Sequence, residues 1–212
     1  MHPKIIVADD HPVVVAGIRQ IVQDLHTFRI VATAKDGHEL LALLESEACN
    51  ILIIDYSMPQ SDGPDGYPLI EHIKRRYPDL KILLLTMLDN PLIMRNLDAL
   101  GIQGIVSKRD RFSNIASAID MIARGIGYRS PAIQKLLTSN ALTPGRNHVE
   151  LTARELEVLR LFADGLSVSD IAGKLNKSVK TVSTQKIAAM RKLGVSSDIE
   201  LYDAIRSTSM FS

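Results

Sequence analysis

The chain holds one cysteine, Cys49, in 212 residues. That excludes an intramolecular disulfide and fits a reducing compartment, and Cys49, just ahead of an apolar run, reads as a packing residue. No uninterrupted apolar stretch is long enough to span a bilayer, and Met1-His2-Pro3-Lys4 leads into a short strand without a secretory apolar region. These absences predict a soluble, cytoplasmic protein with no membrane partner. Internal repeats and low-complexity tracts are missing too. Net charge is only +1, but the balance is uneven along the chain. From Ile171 to Val195 there is no acidic residue, while Lys174, Lys177, Lys180, Lys186, Arg191 and Lys192 fall in that span. A polyanion is expected there.

The length suits two modest domains. Short β-branched runs alternate with helical patterns in the first part: strands fit 4–8, 28–34, 51–55, 81–86 and 105–107, and helices fit 12–23, 37–45, 68–77, 90–100 and 112–124. Five βα units predict an α/β fold, a flavodoxin-like doubly wound, five-stranded parallel sheet of strand order 2-1-3-4-5. A further helix fits 131–139. Asn140 to Asn147 combines turn formers without periodicity and reads as an interdomain linker. The remainder is helical by pattern, over 152–164, 168–175, 179–193 and 198 to about 208. The expected division is 1–125, then a helix and linker over 126–149, then an all-α four-helix module over 150–212.

Each apolar run of the first part delivers a polar side chain at its C-terminal end: Asp9 and Asp10, Asp55, Thr86, and Lys108 after Ser107. In an open parallel sheet that edge is where ligands bind, and strand order 2-1-3 sets the first and third strands side by side. Any one aspartate there is an ordinary turn former or helix cap. Capping, however, does not call for Thr86 and Lys108 as well. Three acids, a hydroxyl and an ammonium at one edge suit Mg²⁺ with a phosphoryl group, Asp55 being a carboxylate that can itself become phosphorylated.

In the last third, Thr152 and Glu155 make a capping box ahead of an apolar face of Leu156, Leu159, Phe162 and Ala163, and Gly165 ends that helix. The stretch Ser169 to Leu175 is too brief to be a stable helix unless packed. After Asn176-Lys177, Ser178 can cap a third helix that turns Val182, Ala189, Met190 and Leu193 inward. Two helices joined by a tight turn, the second basic, spell helix-turn-helix. Lys180 and Lys186, six residues apart, cannot share one azimuth and are expected to flank the base-reading face.

Asp9-Asp10-His11-Pro12, Asp55-Tyr56-Ser57-Met58-Pro59, Thr86 and Lys108 together resemble the receiver domain of bacterial two-component response regulators. Leu151-Thr152-Ala153-Arg154-Glu155, Gly165-Leu166-Ser167, Asp170-Ile171-Ala172, Lys180-Thr181-Val182-Ser183-Thr184-Gln185 and Lys192-Leu193-Gly194-Val195 resemble the LuxR-type helix-turn-helix of the NarL/FixJ family. The resemblance implies Asp55 as phosphoacceptor, Asp10 as principal Mg²⁺ ligand with Asp9 beside it, and the Ser57 carbonyl as a further ligand. It also implies Thr86 on a phosphoryl oxygen and Lys108 against the phosphoryl charge. The partners implied are a histidine kinase or phosphotransfer protein, double-stranded DNA, and a second regulator molecule in a homodimer or heterodimer. Such a protein is not a stand-alone enzyme. In the DNA-binding module, Ser183, Thr184 and Ile187 would face bases, with Lys177, Lys180 and Lys186 on phosphates and Thr181 within the interface; Ile187 could touch only a thymine methyl or pack. Three departures stand out: Gln185 where many members carry His, Ile105 where receivers often carry an aromatic, and no proline after Lys108, so that the Lys108–Arg109 bond is expected trans. Two other readings remain open at this stage. One is a hydrolase that uses Asp55 as a phosphoenzyme nucleophile, which would usually place a second acid where Ser57 stands; the other is a receiver that serves as a docking surface without phosphorylation.

Overall fold

The computed structural model describes residues 2–58, 65–138, 151–193, 195 and 197–207. The expected linker at 140–147, most of the loop between Met58 and Pro68, and Gly194 lie outside the described residues. The contacts divide into two compact units, Met1–Asp89 with Leu97–Ser139 and Asn90–Asn96 with Asn140–Ser212.

The apolar runs form strands β1 (Lys4–Ala8), β2 (Arg29–Ala34), β3 (Ile51–Asp55), β4 (Lys81–Thr86) and β5 (Gly104–Ser107). Helices α1 (Pro12–Asp24), α2 (Gly37–Ser46), α3 (Gly66–Arg76), α4 (Pro91–Ala99) and α5 (Ser113–Ala123) follow them in turn. Because side chains alternate across a strand, Ile5, Val7, Ile51, Ile53, Leu83, Leu85 and Val106 face one way, packing with Ile18, Val22, Ile115, Ile119 and Ile122 of α1 and α5. The intervening Ile6, Leu52, Ile54, Ile82 and Leu84 are equally buried. A sheet covered on both faces needs near-continuous apolar strands, and this chain supplies them.

The five-stranded expectation is corrected by one strand. A two-residue β6 (Tyr128–Arg129), followed by α6 (Pro131–Thr138), adds to the sheet edge, so that the order is β2-β1-β3-β4-β5-β6. It runs parallel to β5, with Gly104 opposite Tyr128 and Ile105 opposite Arg129. The Arg129 fork secures it, with Nε donating to Asp98 at 2.6 Å and the terminal nitrogens to the carbonyls of Ile102 at 2.8 Å and Gln103 at 3.0 Å. Helix α3 starts at Gly66 rather than at Pro68, which is compatible with the proline because a first-turn N–H has no intrahelical partner.

The C-terminal module is four helices, α7 (Ala153–Ala163), α8 (Val168–Lys174), α9 (Val179–Leu193) and α10 (Asp198–Ser207). Capping boxes at Thr152/Glu155 and Ser167/Asp170 start the first two. Asn176, at φ 50°, makes the left-handed turn between α8 and α9, after which the Ser178 hydroxyl accepts from the Thr181 N–H at 3.1 Å. Val158, Leu159, Phe162, Ile171, Val182, Ala189, Leu193 and Leu201 form the core, and within it the seven-residue α8 becomes stable by packing. All peptide bonds of the described residues are trans, Lys108–Arg109 included. Among the described residues no helix is long and apolar enough to cross a membrane.

Candidate functional site

Parallel pairing of β1 with β3, of β3 with β4 and of β4 with β5 aligns the strand ends: Ala8 lies opposite Ile54, Asp55 opposite Leu85, and Thr86 opposite Ser107. The residue after each of the outer runs therefore joins Asp55 at one edge. Lys108 Nζ donates to Asp55 Oδ2 at 2.6 Å and to Asp9 Oδ2 at 2.8 Å. Oxygen atoms of Asp9, Asp10 and Asp55 and a ring nitrogen of His11 lie within 4.8 Å of one another. Asp9 and Asp55 are 3% and 6% exposed and Thr86 is fully buried.

Burying an ionised carboxylate costs solvation, and this dominates at Asp55, pushing its pKa up to about 6; Lys108 opposes the shift and neighbouring Asp9 adds to it. At Lys108 burial works downward, but the two carboxylates outweigh it and hold the ammonium above its ordinary value. Asp9 is further fixed by the His11 backbone N–H, which donates to Oδ1 at 2.9 Å. Asp10 differs. His11 Nδ1 lies 2.6 Å from its Oδ1, but not in a hydrogen-bonding direction, and that buried oxygen accepts no hydrogen bond. A buried carboxylate oxygen without a donor, beside two more carboxylates, is the donor chemistry a hard divalent cation takes. The residues fit Mg²⁺. Thr86 Oγ1 accepts from the Leu88 N–H at 2.9 Å, which leaves its own proton to donate.

The basic helix is arranged differently from the expectation at one residue. Lys180, Thr181, Thr184 and Ile187 are exposed, and Lys177 and Ser183 are half-buried. Lys186, expected on a phosphate, is instead 8% exposed, with its Nζ 2.6 Å from Asp198 Oδ2 and 4.2 Å from the centre of the Phe162 ring. It serves the helix core. The spacing held the signal: Val182, Lys186, Ala189 and Leu193 fall on one helical stripe, and the other three are buried. Two hydroxyls are also engaged locally, Thr181 with Ser178 at 2.8 Å and Thr184 donating to the Lys180 carbonyl at 2.8 Å.

Residues 5–120 match the family described as response regulator receiver domain, and 149–205 match the bacterial regulatory proteins of the luxR family. The chain belongs to the LuxR-type response regulators. It is 39% identical over 207 residues to the transcriptional regulatory protein RcsB of Salmonella typhi, covering 98% of this chain and 95% of that one. It is 30% identical over 202 residues to response regulator UvrY of Escherichia coli, covering 93% and 91%. Among solved structures, it superposes with a TM-score of 0.74 and 38% identity on RcsB from Salmonella enterica serovar Typhimurium bound to promoter P1flhDC in the presence of the phosphomimetic BeF3⁻, covering 98% of this chain and all of that one. A structure of two RcsB dimers bound to two parallel DNAs superposes with a TM-score of 0.68 at 38% identity, over 98% and 99% of the two chains. This response regulator is thus a transcription regulator rather than a classical enzyme.

Proposed function

We propose that this response regulator takes a phosphoryl group from a phosphohistidine of a kinase or phosphotransfer protein onto Asp55, and that the modified receiver changes its dimerisation and DNA binding. The observation that carries the reading is the ionic arrangement at Asp55, where Lys108 bridges the Asp55 and Asp9 carboxylates and the unsatisfied Asp10 stands alongside. In the transfer an Asp55 oxygen forms the new P–O bond as the N–P bond of the donor breaks and its electron pair returns to the imidazole. Mg²⁺, held by Asp10, Asp9, Asp55 and the Ser57 carbonyl, would supply charge neutralisation for the phosphoryl oxygens. Thr86 donates its hydroxyl proton to a phosphoryl oxygen, and Lys108 passes from the Asp55 carboxylate to the new phosphoryl charge. Positioning and charge suffice, and no general base is needed.

The receiver would occupy 1–125, a helix and linker 126–149, and the DNA-binding module 150–212. Helix α9 would enter the major groove with Ser183, Thr184 and Ile187 toward base edges, Thr181 at its start, and Lys177 and Lys180 on phosphates. Lys186 has no place on that surface. The RcsB complexes with DNA and with BeF3⁻ support both halves of the reading, and the RcsB dimers on DNA support pairing with a second copy; a related regulator is the alternative partner. The hydrolase alternative is disfavoured by Ser57, which stands where such enzymes usually carry their second acid, and by the LuxR-type module. Incubation with Mg²⁺ and a small phosphodonor tests the acceptor by intact mass: one phosphoryl group on the wild type and none on Asp55→Asn is expected. Equal labelling of both would overturn the assignment.

A further inference from the structure

Asp65 occupies the N-cap of α3 in an extended conformation, φ −144° and ψ 170°, but its side chain makes no capping hydrogen bond. An aspartate there ordinarily accepts from the second or third N–H of its own helix. This one looks back along the chain. The Met58 N–H donates to Asp65 Oδ1 at 2.9 Å, seven residues upstream, and the Ser57 hydroxyl also hydrogen-bonds the carboxylate. The adjoining Gly66, at φ 60°, donates its N–H to the Tyr56 carbonyl at 3.2 Å, a left-handed conformation that glycine adopts without strain. Tyr56, Ser57 and Met58, the three residues after the phosphoacceptor, are thus each tied to Asp65 or its neighbour.

Met58 N–H and Ser57 C=O are the two ends of one peptide unit. That unit is planar and trans, so its N–H and carbonyl point in opposite directions, and anchoring one end fixes the other. The anchor is a carboxylate, which makes the hydrogen bond charge-assisted and draws electron density toward the carbonyl oxygen. We propose that Asp65 is a positioning residue for the acidic site, holding the Ser57–Met58 peptide so that the Ser57 carbonyl is fixed and polarised as a cation ligand. The inference rests on the Mg²⁺-assisted reading of Asp55 and adds a residue outside the acid set at the strand ends. It also accounts for an aspartate that gives up capping its own helix.

The test is the Mg²⁺ affinity of the full chain, measured by calorimetric titration for the wild type, Asp65→Asn, Asp65→Ala and Asp10→Ala. Both substitutions at Asp65 remove the charge, but only Asn keeps an oxygen for the Met58 N–H. Asp65→Ala should therefore bind Mg²⁺ about 10-fold more weakly than Asp65→Asn, the scale on which the loss of a ligand-orienting partner is felt. Equal affinities for the two would show an effect of charge alone and overturn the proposal. If Asp10→Ala loses Mg²⁺ binding at the same time, the phosphoacceptor reading survives that failure; if Asp10→Ala binds Mg²⁺ as the wild type does, the reading itself falls. A second measurement decides the case should Asp65→Ala not fold. The carbon-13 signal of the Ser57 carbonyl should move on Mg²⁺ saturation in the wild type and in Asp65→Asn, and a Ser57 carbonyl that stays still while the Asp10 carboxyl signal moves contradicts the proposal.

Discussion

Replacing Lys186 separates a cation that holds the recognition helix from one that holds DNA. Its side chain is 10% exposed, and its ammonium sits 4.2 Å from the Phe162 ring centre, an arrangement that contributes about 1 to 2 kcal/mol when desolvated. Asp198 is 59% exposed, so the ion pair adds about 1 kcal/mol at most. The aliphatic stem lies on the stripe of Val182, Ala189 and Leu193 and contributes about 1 to 2 kcal/mol by burial. Lys186→Ala should thus cost about 3 kcal/mol of stability in denaturant unfolding followed on the C-terminal module. Lys186→Met keeps the stem and allows a sulfur–aromatic contact with Phe162, and should cost about 1 kcal/mol. Each phosphate contact contributes about 0.9 to the slope of log affinity against log salt. Lys186→Met should therefore bind DNA with an unchanged salt slope. A slope reduced by about one, with stability intact, would show that Lys186 reaches a phosphate and would refute its placement inside the module.

Three further outcomes follow from the same geometry. Lys180, exposed on α9, should behave oppositely: Lys180→Ala weakens binding to specific and scrambled duplexes alike and lowers the salt slope by about one, whereas a changed base preference with an intact slope would contradict the orientation of α9. Asp10→Ala should reduce Mg²⁺ affinity more than Asp9→Ala, because Asp10 Oδ1 has no donor while Asp9 is already held by Lys108 and the His11 N–H; equal losses in titration calorimetry would count against it. Asp55 has its pKa raised in the folded chain to about 6, so its ionisation is a cost of folding that is absent below the unfolded carboxylate range, grows as pH rises toward 6, and is complete above it. Without Mg²⁺, Asp55→Asn should stabilise the protein at pH 8 by about 2 kcal/mol, the gain fading by about pH 4. A pH-independent effect in urea unfolding would be inconsistent with that shift.

The parts legible from sequence are those written as repeated, local signals. Five apolar runs, four of them ending in Asp9-Asp10, Asp55, Thr86 and Lys108, gave both the sheet order and the residues that meet at its edge, because period and strand order leave few alternatives. β6 was missed for the opposite reason. Two residues carry no periodicity, and Tyr128–Arg129 joins the sheet through the reach of the Arg129 side chain to Asp98 and two carbonyls. Lys186 was misplaced because its charge outweighed its position, although i, i+4 and i+7 spacing from Val182 put it on the buried stripe. Asp65 falls between the expected strand 51–55 and the expected helix 68–77, and nothing local announced that its carboxylate turns back to Met58. Side-chain hydrogen bonds between residues seven apart in irregular chain have no sequence pattern.

DNA affinity measured on one preparation before and after treatment with a phosphodonor and Mg²⁺, for the wild type and for Asp55→Asn, tests most directly that the charge at Asp55 controls the C-terminal module. The account predicts a changed affinity for the wild type and an unchanged one for Asp55→Asn, with the nonspecific salt slope the same in both. An identical response of the two proteins, or none in the wild type once Asp55 is shown to be phosphorylated, would contradict it.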